Sequence, residues 1–328
     1  MLVAVDENSQ LINLLEIKDK EQLRTKILYC PACRGQVRLK NGNIKLSHFA
    51  HKNLATCKYL SENESLEHLT LKKMIYDANK NYHKVELEAF QRNLQQIPDI
   101  LVESKIALEV QCSSLSLKRL KERTDTYLEN GYKVVWMMGE NLHLKERMTK
   151  LQENLTYFSR NLGFYYWELH LKKRLIRLKY MIHRDLKGEL IYLQVDFPLD
   201  GDIIDTLRYP FKARKADILS ISSDRRIYDY LAGKLFHKDK KMMEIQEIYY
   251  MKGLNFLRDA DLNLQIAPLG LDILKSQISL EYDLEFIQIA DDLKSYYNNF
   301  MLFYQKRKNK KQTLLYPPAF YDKMVNNT

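Results

Sequence analysis

Long apolar runs are absent from this chain, and their absence limits what the protein can be. None of the 328 residues lies in an apolar stretch of about 18 residues, the length that a membrane-spanning helix needs. The first ten residues, MLVAVDENSQ, also lack the basic and then apolar pattern of an export signal. Apolar residues make up 45% of the chain and charged residues 29%, which is typical of a folded protein. We therefore expect a soluble, cytoplasmic protein with no membrane partner.

Cysteine is scarce, and its placement predicts a metal site rather than disulfides. Three of the four cysteines lie between residues 30 and 57, within the segments CPAC and HFAHKNLATC. Disulfides are rare in the cytoplasm, and an odd number of cysteines cannot form a fully paired framework. Closely spaced Cys and His pairs separated by a short β-like stretch are typical of a tetrahedral zinc site that joins two loops.

Five side chains of this segment compete for the four positions around zinc. We favour Cys30, Cys33, His51 and Cys57, and leave His48 to support a ligand or to contact nucleic acid. The sequence alone leaves the choice among the five open. Four protein ligands leave no open position for a substrate, so we expect the zinc to be structural.

Two acidic residues are placed where a hairpin would bring them together. In the segment PDILVESKIALEVQ, residues 98–111, apolar residues alternate with Asp99, Glu109 and Gln111, which predicts two strands with the acidic residues on one face. Asp99 opposes Glu109 only if the turn has an odd number of residues, such as the three residues 103–105. Opposed carboxylates repel unless a cation lies between them, and oxygen ligands suit magnesium or manganese.

The surrounding residues predict the order αβββαβ. We expect a helix over 64–79, a strand over 83–90, the hairpin, a helix over 115–130 and a strand over 132–138. Gly131 is expected to end the second helix in the left-handed conformation, and Ser114 or Ser116 to cap its start. The last strand is apolar throughout, as a strand reached by a crossover helix should be.

Several separate motifs together resemble a known family. The element order, and Asp99 followed by Glu109, Val110 and Gln111, resemble the PD-(D/E)XK nucleases. The CPAC and HFAH segments, NESLEHLTLKK, PDILVESKIALEVQCS and KRLKERTDTYLENGYKVVWMM more closely resemble the CoiA family of competence proteins. The resemblance implies an α/β fold with a restriction-endonuclease-like core that acts on DNA, single-stranded or branched, beside recombination proteins during natural transformation.

The resemblance also implies roles for individual residues. Asp99 and Glu109 would hold magnesium or manganese, with Glu67 as an additional acidic ligand of the catalytic site or Glu88 as the alternative. Gln111 stands where the family of nucleases commonly has lysine, so it can orient water but supplies no positive charge. Lys72 or Lys73 could supply that missing charge. Arg92, Arg123 and Lys72 are candidate DNA contacts, although each is also typical of a surface ion pair.

Charge and pattern divide the chain into three predicted parts. Counting Lys and Arg against Asp and Glu, residues 1–60 carry +5, residues 61–145 carry −1 and residues 146–328 carry +6. We assign them to an N-terminal zinc-binding β module, the nuclease-like domain and a basic C-terminal domain. In that last part, residues 164–199 predict a small antiparallel sheet and later residues predict helices. Basic flanks suit a polyanion, or simply a solvated lysine-rich surface.

Three functions remain open from the sequence. The first is a metal-dependent DNA nuclease, and the second is a DNA-binding or recombination scaffold with a nuclease-like core that performs no chemistry. The third is a zinc-stabilised adaptor that binds protein partners.

Overall fold

A computed structural model gives the structure of the chain and describes residues 1–42, 46–53, 57, 64–213, 215–279, 285–306 and 312–326. The predicted boundary at residue 60 lies outside these residues. The chain divides into two compact units. Unit 1 comprises residues 1–143, 167–178 and 196–209, and unit 2 comprises residues 144–166, 179–195 and 210–328. Among the described helices, none has the length and apolar character needed to cross a membrane.

The N-terminal part of unit 1 is a small antiparallel sheet. Its strands are β1 Val3–Val5, β2 Leu11–Asn13, β3 Leu28–Tyr29, β4 Gln36–Lys40 and β5 His48–His51. They lie in the order β2-β1-β3-β4-β5, and each pair of neighbouring strands is antiparallel. A core that includes Leu28, Val37 and Phe49 packs against Cys30 and Cys57, so the apolar residues of this sheet surround the cysteines. The predicted β module is confirmed.

The predicted order αβββαβ is also confirmed. The elements are α1 Leu66–Asn79, β6 Val85–Leu87, β7 Ile100–Val102, β8 Ile106–Gln111, α2 Leu117–Glu129 and β9 Lys133–Met138. Strands β6, β7 and β8 pair in antiparallel fashion, while β8 and β9 are parallel. This parallel pair requires the crossover that α2 provides.

Local sequence signals set the ends of both helices. The hydroxyl oxygen of Ser65 accepts a hydrogen bond from the His68 N–H and caps α1, and that of Ser116 accepts one from the Arg119 N–H and caps α2. Gly131 follows α2 with φ +73°, the left-handed conformation expected there. Ser116, and not Ser114, is therefore the capping residue.

The hairpin between β7 and β8 has the predicted three-residue turn. Ile100 pairs with Leu108, Leu101 with Ala107 and Val102 with Ile106. The turn contains Glu103 and Ser104, both in the left-handed region with φ near +50°. The same register, continued by one residue, sets Asp99 opposite Glu109.

Unit 1 continues its sheet into strands that lie beyond residue 145. Strand β11 (Gly163–His170) runs parallel to β9 through the pair Glu168 and Met138. Strands β12 (Leu175–Asp185) and β13 (Leu190–Pro198) follow β11 in the sheet order, so all three runs predicted over residues 164–199 are strands. These three strands contribute residues to both units. Helix α4 spans Ile203–Leu207 in unit 1.

Unit 2 contains the predicted helices and several short strands. Its elements are α3 Lys150–Asn154, β10 Tyr157–Ser159, β14 Leu219–Ser222, α5 Ile227–Phe236, α6 Lys240–Met251, α7 Phe256–Asp259, β15 Ile266–Pro268, α8 Ile273–Ser276, α9 Lys294–Gln305, β16 Gln312–Leu315 and α10 Pro318–Asn326. A core of apolar residues from α5, α6 and α7 includes Leu231, Ile245, Tyr249 and Phe256. Strand β10 pairs with β11, β15 with β12, and β14 with β16.

Candidate active site

A cavity in unit 1 collects the acidic residues that the sequence analysis singled out. Its volume is about 240 Å³. Helices α1 and α2 and strand β8 contribute to its wall, together with Asp99, which directly precedes β7. We call it the acidic cavity, and five carboxylates line it: Glu64, Glu67, Glu88, Asp99 and Glu109.

Asp99 is held at the start of the hairpin by three donors. Its Oδ2 atom accepts hydrogen bonds from the Val110 N–H at 2.9 Å and from His68 Nε2 at 3.1 Å. The Lys72 ammonium lies 3.5 Å from Oδ1. Burial alone would raise the pKa of Asp99, but the charges of His68 and Lys72 and these hydrogen bonds lower it below the usual range. Asp99 is therefore ionised at neutral pH.

Glu109 is 2% exposed and is bound from the side of α2. Arg123 Nη2 and the Tyr127 hydroxyl each donate to its Oε1 atom at 2.5 Å. Burial, with the charge of Asp99, raises the pKa of Glu109 although Arg123 opposes the shift. Within the described residues Oε2 of Glu109 accepts no hydrogen bond, so one oxygen remains for a cation.

Lys72 lies among three carboxylates and is 1% exposed. Its ammonium donates to Glu64 and, at 2.5 Å, to Glu88, and it also contacts Asp99. Burial alone would lower the pKa of Lys72, but the charges of these carboxylates raise it well above the usual value. Burial likewise opposes ionisation of Glu64, yet Lys72 lowers the pKa of Glu64 to about 2. We call these four residues the Lys72 cluster. The helical spacing of Lys72 also allowed a position on the protein surface, but its burial excludes that position.

Glu88 and Glu67 line the acidic cavity, but both oxygens of Glu88 and one oxygen of Glu67 already have donors. Glu88 Oε1 accepts from Lys72, and Oε2 accepts from the N–H groups of Leu2 and Val3. Glu67 Oε1 accepts from the Glu140 N–H at 2.8 Å. A Cβ at Gly139 would lie 2.8 Å from that Glu67 oxygen and 2.6 Å from Cys112 Sγ, so glycine permits the close approach.

The remaining predicted residues lie in different surroundings. Gln111 lines the acidic cavity, and its amide donates to the Ser113 carbonyl at 2.9 Å. Arg123 lines the cavity but is engaged with Glu109. Arg92 is exposed and is not part of the cavity wall. The structure therefore gathers the acidic candidates but places the three basic ones in three unlike environments.

Two cavity residues were missed by the sequence analysis. Glu64 lies just before α1 and was not considered as a site residue. Arg119 lines the cavity one helical turn before Arg123, and its guanidinium makes no hydrogen bond or ion pair among the residues described. Arg119 and Arg123 are four residues apart on α2, and this i, i+4 spacing could have identified Arg119 from the sequence.

The Cys and His segment forms a compact cluster in the N-terminal sheet. One ligand atom from each of Cys30, Cys33, His51 and Cys57 lies within 4.8 Å of the others, and these are the four residues that we favoured. Cys33 Sγ lies 3.3 Å from His51 Nε2 and accepts from the Gly35 N–H. Burial, with the neighbouring thiols, raises the pKa of Cys30 to about 12, so a thiolate here needs a cation. This donor set fits zinc.

His48 is not part of that cluster, because it lies three residues before His51 in β5. Side chains alternate across a strand, so the two histidines point to opposite faces. The His48 Nδ1 atom instead lies 2.9 Å from the Leu46 carbonyl oxygen. This parity identifies His48 as the spare among the five candidates.

Comparison with known proteins relates two segments of the chain to described domains. Residues 64–198 match the family model "Competence protein CoiA, nuclease-like domain", and residues 13–60 match "Competence protein CoiA, N-terminal domain". The curated competence protein CoiA of Bacillus subtilis (strain 168) is 31% identical over 133 residues, which are 39% of this chain and 36% of that protein. The alignment thus spans about a third of the relative. No solved structure gives a significant match.

Replacing Lys72 tests whether it compensates the buried carboxylates. We expect Lys72→Met to lower the free energy of unfolding by about 3–5 kcal/mol at pH 7, because the substitution leaves buried charges without a partner. The matched change Lys73→Met removes a half-exposed pair with Asp77 on the same helix and should cost less than about 1 kcal/mol. Urea denaturation measures both.

The pH dependence follows from the lowered pKa of Glu64. Its stabilising contribution is present above the usual value of 4.5 and is lost as the pH falls toward about 2. The difference in free energy of unfolding between wild type and Lys72→Met should therefore become smaller as the pH falls over this range. Equal stability of the Lys72→Met and Lys73→Met variants at pH 7 would contradict the assignment.

Proposed function

Because the chain belongs to the CoiA family of competence proteins and contains its nuclease-like domain, we propose that it is a metal-dependent nuclease that cuts DNA. Natural transformation, alongside recombination proteins, is the process in which we propose that it acts. The observation that carries the proposal is that Asp99 and Glu109, which face each other across the hairpin, line one cavity together with Arg119, whose guanidinium makes no hydrogen bond or ion pair within the described residues.

Asp99 and Glu109 are the residues that we expect to hold magnesium or manganese. Both contribute carboxylate oxygens, the ligands that these ions prefer. The burial that raises the pKa of Glu109 also means that its ionised form is poorly stabilised, which a divalent cation at Oε2 would correct. Such an ion supplies positive charge at the scissile phosphate and lowers the pKa of a bound water.

Arg119 is the residue that we expect to contact a DNA phosphate. It lines the acidic cavity, and its guanidinium is not engaged by a carboxylate in the described part of the chain. Arg123 holds Glu109 and donates to the Ile97 carbonyl at 3.3 Å, so its role is to position Glu109 and the start of the hairpin. Arg119 would thus bind the substrate, whereas Arg123 would support the site.

Gln111 and Lys72 together replace the lysine that is common in related nucleases. The Gln111 amide nitrogen is bound to the Ser113 carbonyl, which leaves its amide oxygen to orient the attacking water. The Lys72 ammonium lies 3.5 Å from Asp99 Oδ1, and the side chain is only 1% exposed. Its charge therefore acts on Asp99 rather than on the substrate.

We expect the N-terminal module to support the same function by contacting DNA, with zinc stabilising the module. Cys30, Cys33, His51 and Cys57 are the ligands in this proposal, and all four positions around the ion are protein side chains. The zinc would thus hold the loops of the N-terminal sheet and take no part in cleavage.

A second candidate function is a DNA-binding scaffold without nuclease activity. It is favoured by the contacts of Arg123 and Tyr127 with Glu109 and of Lys72 with Asp99, because these groups already neutralise the two carboxylates. In a scaffold the same cavity would bind the DNA backbone through Arg119 and would not need a divalent ion.

Isosteric substitutions distinguish the two candidates. We expect Asp99→Asn and Glu109→Gln each to reduce cleavage of labelled single-stranded or branched DNA by about 100-fold or more with Mg²⁺ or Mn²⁺, because each removes an anionic ligand of the ion. Glu103→Gln, in the exposed turn of the same hairpin, should retain the wild-type rate. Gel assays with and without chelator measure the rates.

The results separate the functions as follows. Cleavage that both substitutions abolish supports the nuclease. DNA binding without cleavage of any substrate, in wild type with either metal, would refute it and favour the scaffold. Equal cleavage by wild type and both variants would exclude this cavity as the active site.

Arg119 can be tested through the salt dependence of DNA binding. In the Glu109→Gln background, Arg119→Ala should weaken binding and reduce the slope of log K against log salt by about 1, since one phosphate contact is lost. Lys118→Ala makes the same change of charge on the outer side of α2, where Lys118 is 86% exposed. An identical slope for both variants, measured by fluorescence anisotropy, would contradict the phosphate contact.

Cobalt substitution tests the zinc ligands. Thiolate bound to Co²⁺ gives a sulfur-to-cobalt charge-transfer band, which wild type and His48→Ala should show with equal intensity. His51→Ala should bind Co²⁺ at this site at least about tenfold more weakly, because a ligand is removed. Loss of the band in His48→Ala, with retention in His51→Ala, would reverse the assignment.

A further inference from the structure

We propose that His143, Glu168 and His170 form a second transition-metal site, for a borderline divalent ion such as Zn²⁺. One ligand atom from each lies within 4.8 Å of the others, and all three belong to unit 1. The site is separate from the thiolate cluster in the N-terminal sheet. None of its residues lines the acidic cavity.

The fold brings these residues together through the parallel pairing of β9 and β11. Glu168 pairs with Met138, the last residue of β9, and His143 follows the short 3-10 helix that comes directly after that strand. Glu168 and His170 are two residues apart in β11, so their side chains lie on one face. The end of one strand and the face of its neighbour therefore converge.

The two histidines are arranged as metal ligands commonly are. His143 Nε2 lies 3.0 Å from the Leu169 carbonyl oxygen, a contact that favours the proton on Nε2 and the ring lone pair on Nδ1. A carbonyl that fixes the tautomer in this way is typical of metal-binding histidines. The rings of His143 and His170 are close, with centroids 4.2 Å apart.

The His170 ring has a buried nitrogen that lacks a good partner. Its Nε2 atom makes no hydrogen bond within the described structure, and it lies 3.4 Å from Glu168 Oε2. A buried polar atom left in this state is destabilising. A metal ion between His170 and Glu168 would satisfy the nitrogen.

The donor set determines the class of ion. Two imidazoles and one carboxylate suit Zn²⁺ and similar ions, whereas magnesium and calcium prefer oxygen ligands throughout. The Glu168 side chain is 1% exposed and His170 is 16% exposed, so the ion would have limited access to water. Three protein ligands leave a position for a water molecule.

Metal titration of the full chain tests this site. In excess Mg²⁺, which occupies oxygen-only sites, wild type should bind Zn²⁺ in two classes, and Co²⁺ should reproduce them. The class with a sulfur-to-cobalt band is the thiolate cluster. The class without that band should bind at least about tenfold more weakly in His143→Ala, Glu168→Gln and His170→Ala.

The exposed His237 provides the control, because His237→Ala removes an imidazole far from the three residues in the chain. Its affinity for the second class should equal that of wild type. The thermal midpoint of wild type should rise with Zn²⁺ by more than that of Glu168→Gln, which keeps the shape of the side chain. Circular dichroism verifies that each variant is folded.

Any of the following results would overturn the proposal. One is a wild-type chain that binds no Zn²⁺ or Co²⁺ outside the thiolate class, which needs no variant to interpret. Another is a folded Glu168→Gln or His170→Ala protein whose second class binds as tightly as in wild type, and a third is a His237→Ala protein that loses it.

Discussion

The Lys72 ammonium and the Arg123 guanidinium balance buried negative charge, and the arrangement of unit 1 depends on that balance. Lys72 joins α1 to Glu88 and Asp99, whereas Arg123 joins α2 to Glu109. Ionised carboxylates are not stable in a protein interior unless they are paired and hydrogen-bonded. Both helices are thus held against β7 and β8 by the same acidic residues that a nuclease would use.

This balance connects stability with the proposed chemistry. The pKa of Asp99 is lowered and that of Glu109 is raised, so the two carboxylates differ although they face each other across the hairpin. Asp99 is a ready anionic ligand, while Glu109 has an oxygen whose charge is only partly compensated. A divalent ion entering here would strengthen an existing balance, and it would not require a new arrangement of the strands.

The hairpin and the zinc cluster could be predicted from the sequence because both depend on the two-residue period of a strand. That period, with a three-residue turn, sets Asp99 opposite Glu109. It also separates His48 from His51, so four of the five candidate ligands come together. Helix ends at Ser116 and Gly131 were predictable for a similar reason, since capping depends on a few neighbouring residues.

Features that depend on distant residues could not be predicted in this way. Lys72 has the spacing of an exposed helix residue, and its burial results from Glu64, Glu88 and Asp99, which come from different elements. The pairing of β11 with β9 is parallel and spans a long connection, so no local pattern indicated it. The cluster of His143, Glu168 and His170 follows from that pairing and was equally hidden.

The central claim is that a hard cation binds between Asp99 and Glu109. Crystals of the protein soaked with Mn²⁺ and measured for anomalous scattering would test it most directly. We predict a manganese peak within coordination distance of Asp99 and of Glu109 Oε2. The claim would be contradicted by crystals with no anomalous peak in the acidic cavity, in which Arg123 and Tyr127 alone contact the Glu109 carboxylate.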